Sequence, residues 1–355
     1  MALGLRKLVY QAYMKWHPIP LPTTDAFKDQ AVLVTGGTSG LGLATAIHFV
    51  NLGAAEVIIT SRDLSRAKAA LATIEHETGG RSKGRVRVMD LNMNRYASVI
   101  SFAKEVQKVR QGRGGLDVVV LNAGLAGIDF KLVDEGWEQN IQVNALSAAL
   151  LGLLLLQGMK AERAHRSAPA HLAVVSSSRH LEPNIREWKE GAAASGGSVL
   201  QYFNKPENWP GADSMYAVTK LMAQYAVDEL TKLALGPDGR PEVIVNAMCP
   251  GIVKSDLTRH WAEKGVGFTI AIAVFTGLFA KSTSNGARAY LAACLTKESE
   301  HGKFIRFYGS DAEYQKGATA VRTSKNGKRM QAQVLLEMMA DFAVKVPDAS
   351  GLLGS

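Results

Sequence analysis

Short apolar runs alternate along this chain with longer segments in which apolar side chains recur every three or four positions. The short runs are rich in Val and Ile, which is typical of strands that are covered on both faces and need no polar alternation. The predicted strands span residues 31–34, 56–60, 85–89, 116–121, 171–176, 243–248 and 303–307. The clearest predicted helices span residues 64–77, 96–110, 134–160 and 330–344. This alternation predicts an α/β fold with a parallel sheet.

Residues 1–28 are predicted to form an amphipathic helix and a proline-rich linker ahead of the first strand. Within residues 2–16, one helical face carries Leu5, Leu8, Val9, Ala12, Tyr13 and Trp16, whereas Arg6, Lys7 and Lys15 lie elsewhere. Peripheral membrane contact and docking onto the protein's own surface are both open interpretations. Charges interrupt the segment too early for a membrane-spanning helix or a signal peptide.

Residues 145–156 are almost continuously apolar and lie within the helix predicted at 134–160. A membrane span needs about 20 apolar residues, so a buried or dimer-forming helix is the better interpretation. Asn144 stands near the start of this run, where a buried amide needs hydrogen-bond partners.

The composition fits one large domain with extensions, since 47% of the 355 residues are hydrophobic and 21% are charged. Cys249 and Cys294 supply neither a disulfide framework nor a metal cluster, so we expect packed thiols in a cytoplasmic protein that is not secreted. The net charge of +9 suits nucleic acid, an anionic membrane or a phosphorylated cofactor. Because the basic residues are scattered, apart from a small cluster at 325–329, we do not expect nucleic-acid binding.

A glycine-rich turn, TGGTSGLG at 35–42, joins the first predicted strand to a helical pattern. Glycines let the backbone approach a pyrophosphate, which the N-terminus of the following helix stabilises. The turn therefore predicts a dinucleotide site. Its candidate contacts are Gly36, Thr38, Ser39, Gly40, Leu41 and Gly42.

Four further motifs follow in order: Asp90-Leu91, Asn122-Ala123-Gly124, Tyr216-x-x-x-Lys220 and residues 250–255. With the glycine turn, they make the chain resemble the short-chain dehydrogenase/reductase family, and residues 298–305 look like its larger fungal members similar to retinol dehydrogenases. The resemblance implies a Rossmann-type, doubly wound parallel sheet of about seven strands in one domain at 29–320. A C-terminal helix and tail at 321–355 would follow. It also implies reversible hydride transfer between a nicotinamide and a carbonyl or secondary alcohol carbon.

The spacing of Tyr216 and Lys220 places both side chains on one face of a helix. A neighbouring ammonium favours the phenolate, so we expect Lys220 to lower the pKa of Tyr216 and make it a usable acid or base. Three serines, 176–178, end the preceding strand, and we favour Ser177 as the hydroxyl that polarises a substrate oxygen. By the resemblance, Asn144 maintains a water relay toward Lys220.

Cofactor choice is predicted from the end of the second strand, where Ser61-Arg62 replaces an acidic residue. A guanidinium pairs with a 2′-phosphate, so the sequence favours NADP(H) over NAD(H). The resemblance assigns further cofactor contacts to Asp90, Leu91, Asn122, Gly124, Tyr216, Lys220, Pro250, Gly251, Val253 and Ser255. No metal ligand is expected.

Two segments of this chain differ from the family pattern or fall where the family is variable. Residues 179–213 form an insertion between the serines and Tyr216, predicted to be a loop that covers the substrate. Residues 256–280 correspond to a variable substrate-binding region, and their apolar stretch at 265–275 favours a lipophilic substrate. Membrane contact through residues 2–16 or 265–280 and a homodimer face remain alternatives.

The combined prediction is an NADP(H)-dependent oxidoreductase that interconverts a carbonyl and a secondary alcohol. Its substrate is expected to be lipophilic, such as a polyketide or terpenoid secondary metabolite. The alternative is a catalytically silent NADP(H)-sensing or scaffold protein on the same fold. The intact Ser, Tyr, Lys and Asn set favours the enzyme, since a binding module needs the glycines but not the acid/base pair.

Overall fold

Seven short strands form one sheet in which every neighbouring pair is parallel, in a computed structural model that describes residues 5–254 and 275–346. The strands are β1 Ala31–Val34, β2 Glu56–Ser61, β3 Val86–Asp90, β4 Val118–Leu121, β5 Ala170–Val175, β6 Val243–Cys249 and β7 Phe304–Arg306. Their order is β3-β2-β1-β4-β5-β6-β7, so the chain winds outward in both directions from β1 and β4. The predicted doubly wound sheet is confirmed.

Helices connect the strands and cover both faces of the sheet. They are α1 Leu5–Trp16, α2 Gly40–Asn51, α3 Leu64–Glu77, α4 Tyr96–Arg110, α5 Ser147–Ala161, α6 Ile185–Ala194, α7 Val199–Phe203, α8 Ala212–Leu233, α9 Thr283–Ala293, α10 Asp311–Ala318 and α11 Lys325–Lys345. Alternate strand residues enter opposite core layers: Leu33 packs in one layer, and Val32 and Val34 in the other. This alternation follows from the two-residue period of a strand.

The helical stretch Ile141–Ala161 is long and apolar enough to cross a membrane, but 83% of its most apolar window is buried inside the protein. It begins with a π-helical segment, Ile141–Leu146, and continues as α5. Its side chains belong to the larger core layer. The interpretation of this run as a buried helix is therefore the correct one.

The insertion at 179–213 is helical, and its prediction as a loop is wrong. It contains α6 and α7, whose Trp188 and Phe203 rings pack edge to face at a centroid distance of 5.3 Å. The Glu337 carboxylate of α11 accepts hydrogen bonds at the start of α7, from the amides of Val199 (3.0 Å) and Leu200 (2.8 Å). These residues fold as helices because the C-terminal helix supplies both an apolar surface and a cap.

Candidate active site

The glycine turn lies between β1 and α2 in a conformation that requires its glycines. Gly36 and Gly40 have φ values of +64° and +55°, in the region that other residues rarely adopt. A Cβ on Gly42 would lie 2.3 Å from the Gly36 carbonyl oxygen, so no side chain fits there. Ser39 precedes α2 without a side-chain cap, which leaves the first backbone N–H groups of the helix available to an anion.

Thr35 and Asn122 join the ends of β1 and β4 directly behind this turn. The Thr35 hydroxyl accepts hydrogen bonds from the amides of Asn122 and Ala123, both at 2.9 Å. The Asn122 Nδ2 donates to the Thr35 carbonyl oxygen at 2.9 Å, and its Oδ1 accepts from the Tyr290 hydroxyl at 3.0 Å. The edge on which a dinucleotide would lie is therefore held rigidly.

Ser177, Tyr216 and Lys220 meet at the carboxyl end of β5. The Ser177 hydroxyl lies close enough to the Tyr216 phenol to lower its pKa, and it accepts from the Arg179 amide at 3.3 Å. The Lys220 Nζ lies 5.6 Å from the centroid of the Tyr216 ring and donates to the Val175 carbonyl oxygen at 2.9 Å. A Cβ on Gly124 would lie 3.7 Å from that Nζ, so the strand β4 edge reaches the same group.

The three consecutive serines point in different directions. Ser176 is buried, and its hydroxyl donates to the Gln224 Oε1 at 3.4 Å. Ser178 lies beside the Tyr308 hydroxyl. Of the three, Ser177 is the one whose hydroxyl acts on the Tyr216 phenol, and its role as the polarising hydroxyl stays a prediction.

Asn144 occupies the π-helical segment and has partners for its buried amide. Its Nδ2 donates to the Leu125 carbonyl oxygen at 2.8 Å and to the Thr219 Oγ1 at 3.1 Å, and its Oδ1 accepts from the Leu125 amide at 2.9 Å. Because Thr219 directly precedes Lys220, Asn144 joins the β4 edge to the helix that carries the acid/base pair. The water relay itself stays a prediction.

The pKa values of the pair differ from the sequence-based expectation. Burial raises the pKa of Tyr216, the nearby Cys249 thiol acts in the same direction, and the Ser177 hydroxyl and the Arg179 charge oppose them. Burial lowers the pKa of Lys220 to about 8. The expectation that Lys220 gives the phenol a lowered pKa is wrong for this structure, because desolvation of the phenolate outweighs its favourable contacts.

Asp90 pairs with Ser61 at the ends of β2 and β3, Arg62 follows directly after Ser61, and both Arg62 and Asp90 are exposed. The Leu91 amide donates to the Ser61 carbonyl oxygen at 3.1 Å, which fixes the two strand ends together. The Ser61 hydroxyl donates to the Asp63 carbonyl oxygen at 2.7 Å, so it shapes the turn. Arg62 is therefore an exposed residue at the carboxyl end of β2.

The loop at 250–253 follows β6 and is held by two side chains that the sequence analysis missed. The Lys281 Nζ donates to the Pro250 carbonyl oxygen at 2.6 Å. The Gln11 Oε1 of α1 accepts from the Ile252 amide at 3.3 Å. No local pattern marks either residue, since they lie far away in the sequence. Ser255 is outside the described residues.

A series of hydrogen-bonded side chains, which the sequence analysis also missed, connects the C-terminal helices to the backbone of Ser177. The His180 Nδ1 donates to the Ser177 carbonyl oxygen at 2.6 Å, and its Nε2 accepts from the Tyr314 hydroxyl at 3.3 Å. The Arg322 Nη1 donates to the Tyr314 hydroxyl oxygen at 2.5 Å, and its Nε to the Asp228 carboxylate at 3.1 Å. Burial lowers the pKa of His180 to about 3, so the ring is neutral at ordinary pH.

The fold is similar to solved structures of oxidoreductases. One is L-sorbose reductase from Gluconobacter frateurii, complexed with NADPH and L-sorbose, with a TM-score of 0.57, 18% identity, and coverage of 81% of this chain and 98% of that one. Another is a short chain dehydrogenase from Shigella flexneri, with a TM-score of 0.53, 18% identity, and coverage of 83% and 98%. At this identity the likeness concerns the fold alone.

Sequence comparison is more specific. The model of a family described as short chain dehydrogenase matches residues 30–192. The chain is 32% identical to the short-chain dehydrogenase/reductase phmF of Phaeosphaeria nodorum over 96% of its length and 94% of that protein. It is 31% identical to ffsI of Aspergillus flavipes over 95% and 92%. With the glycine turn and the Ser-Tyr-Lys set at one sheet edge, this likeness means that the chain belongs to the short-chain dehydrogenase/reductase family of nicotinamide-dependent oxidoreductases.

Proposed function

We propose that the protein is an NADP(H)-dependent enzyme that interconverts a carbonyl and a secondary alcohol on a lipophilic secondary metabolite. The observation that carries the proposal is that the Ser177 hydroxyl, the Tyr216 phenol and the Lys220 Nζ lie together at the sheet edge that also bears the glycine turn. A sensor needs the turn but has no use for an acid/base pair beside it. The enzyme is therefore favoured over the silent alternative.

The residues present at the sheet edge fit a nicotinamide dinucleotide cofactor. The turn at 36–42 would hold the pyrophosphate, because the uncapped α2 N-terminus and the side-chain-free Gly42 leave its backbone accessible. Lys220 would hold the nicotinamide ribose, and the loop at 250–253 would border the ring. When bound, the nicotinamide supplies or accepts a hydride at C4.

The protein's own groups would handle the substrate oxygen and its proton. Ser177 donates a hydrogen bond that polarises the carbonyl, and Tyr216 gives its Oη proton to the developing alkoxide. The raised pKa of Tyr216 keeps the phenol protonated, which is the form needed for carbonyl reduction. In oxidation the same oxygen would have to accept a proton, which requires the positive charge of Lys220 nearby.

The preference for NADP(H) is supported by Arg62, which is exposed at the rim of the β2 end with no acidic residue in its place. A carboxylate at this point would accept from ribose hydroxyls, whereas the guanidinium matches a phosphate. The L-sorbose reductase of the same fold is complexed with NADPH. The lipophilic substrate class is supported only by the sequence, through the apolar residues 265–275, of which 265–274 lie outside the described residues.

Turnover tests this proposal. Purified protein is incubated with NADPH or NADH and a panel of ketones, and with NADP+ or NAD+ and the matching secondary alcohols. We expect hydride transfer with NADPH that falls by at least about 100-fold in kcat for Tyr216→Phe, because the proton donor is lost, while NADPH affinity stays unchanged. Tyr225→Phe is the matched control, since the hydroxyl of this buried tyrosine on α8 donates to the Val321 carbonyl oxygen.

The outcomes separate the two functions. Tight cofactor binding without turnover of any substrate in the panel would favour the sensor. Wild-type turnover in Tyr216→Phe would remove the acid/base assignment.

A further inference from the structure

An apolar surface covers the outer side of α1 and the neighbouring helical turn at 275–279. We call it the aromatic face; its members are Val9, Tyr10, Tyr13, Trp16, Phe275 and Leu278. Trp16 is 74% exposed and Leu278 is 57% exposed. These six are drawn from the fourteen large hydrophobic side chains that are exposed in the described residues, so exposed apolar area is concentrated here.

The opposite side of α1 is already occupied by the protein itself. Gln11 and Met14 are buried, and Gln11 accepts from the Ile252 amide. The Lys15 Nζ donates to the Gly277 carbonyl oxygen, which places the turn at 275–279 beside α1. One side of α1 is therefore buried against the protein itself, whereas the aromatic face is exposed to solvent.

The charge around the aromatic face selects among possible partners. Residues 1–24 contain Arg6, Lys7 and Lys15 and no Asp or Glu, within a chain of net charge +9. Tyrosine and tryptophan are the side chains that settle at the boundary between water and lipid, because each ring has an apolar body and a polar group. Aromatic residues and cations within one N-terminal segment that carries no anion are complementary to a surface of anionic headgroups.

We propose that the aromatic face binds the surface of an anionic phospholipid membrane, with α1 lying parallel to it. The attachment is peripheral and reversible, since one short helix buries little apolar area and Lys15 and its neighbours add a screened attraction. It brings the membrane within one helix thickness of the loop at 250–253. The proposal does not depend on the cofactor or on the reaction.

Vesicle flotation tests the attachment. Vesicles of phosphatidylcholine alone are compared with vesicles that also contain phosphatidylserine, using the wild-type protein and the double variant Tyr13→Ser, Trp16→Ser. We expect the wild type to float with the anionic vesicles and the ratio of bound to free protein to fall by about tenfold or more in the variant. A double variant of α11, Leu336→Ser, Val344→Ser, removes side chains of similar exposure and should bind as the wild type does.

Three results would overturn the proposal. One is a wild type that stays unbound with anionic vesicles, and another is an equal loss in the α11 variant. The third is a concentration-dependent dimer in sedimentation velocity that Trp16→Ser abolishes, which would assign the aromatic face to a second copy of the chain. Thermal unfolding and turnover of each variant establish that it is folded, and neither readout depends on lipid.

Discussion

Arg179 and Asp213 form a two-pronged ion pair that closes the base of the helical insertion. The Arg179 Nη2 lies 2.7 Å from the Asp213 Oδ2, and its Nη1 contacts the other carboxylate oxygen. Arg179 stands two residues after Ser177, and Asp213 lies in the first turn of the helix that bears Tyr216. The pair therefore fixes the distance between the two residues that would face the substrate oxygen, although 38 residues of chain separate them.

Replacing Arg179 by Ala should affect catalysis more than stability. Asp213 is 60% exposed, so we expect the free energy of unfolding to fall by only about 0.2–1 kcal/mol. Because the Arg179 charge lowers the pKa of Tyr216, its loss should raise that pKa further and weaken alcohol oxidation at neutral pH. The pH profile of kcat/KM measures this shift. Arg179→Lys keeps the positive charge but cannot make the two-pronged contact with Asp213. It should therefore restore the pH profile of kcat/KM more fully than it restores kcat.

Lys220 should set the alkaline limit of activity. Its pKa of about 8 means that the free enzyme loses the ammonium as pH rises through that value. We expect kcat/KM, which reports the ionisation of the free enzyme, to be level below pH 8 and to fall above it. Lys220→Arg stays charged, so the turnover it retains should lack this fall. If kcat/KM of Lys220→Arg still falls at about pH 8, the alkaline fall belongs to the ionisation of another group.

Arg62→Ala should weaken NADPH binding by about tenfold or more and change NADH binding little, because one charge-assisted contact to phosphate is lost. Cofactor fluorescence titration measures both affinities. The control is Lys68→Ala, an exposed cation on the adjacent α3. Equal losses for the two cofactors would contradict the assignment of Arg62 to the 2′-phosphate.

His180→Gln should destabilise the protein at neutral pH by about 1–3 kcal/mol, because the Tyr314 hydroxyl and the Ser177 carbonyl lose matched partners. Since burial lowers the pKa of His180 from 6.5 to about 3, the unfolded chain binds the extra proton between those values. Stability from the neutral ring is therefore complete above pH 6.5 and declines as pH falls toward 3.

The difference in unfolding free energy between wild type and His180→Gln should accordingly shrink on acidification below pH 6.5. Urea unfolding at several pH values measures this difference. Burial also lowers the pKa values of His48 and His171, but both proteins contain these residues, so their pH-dependent contributions drop out of the comparison. A difference that is constant with pH would mean that His180 is not held neutral. A reduced kcat with unchanged NADPH affinity would in addition indicate that the His180 contact positions Ser177.

The sequence by itself determined the sheet and the order of its motifs. Local periodicity predicts that each strand and helix exists, and α4 at Tyr96–Arg110 begins and ends where the pattern places it. The helix predicted at 134–160 begins instead at Ile141, and the one predicted at 330–344 begins at Lys325. The glycine turn could also be predicted from the sequence, because its backbone conformation depends on a few neighbouring residues. Composition and periodicity also placed the apolar run at 145–156 inside the protein rather than in a membrane.

Tertiary structure alone decided how distant segments complete the site. Gln11 reaches Ile252 across a separation of 241 residues, and the C-terminal Glu337 caps a helix in the insertion. It also decided the direction of the Tyr216 pKa, since the cost of burying a phenolate depends on every group packed around it and not on the neighbouring Lys220 alone. A local pattern encodes which residues prefer to be buried. Only the folded chain determines what they are buried against.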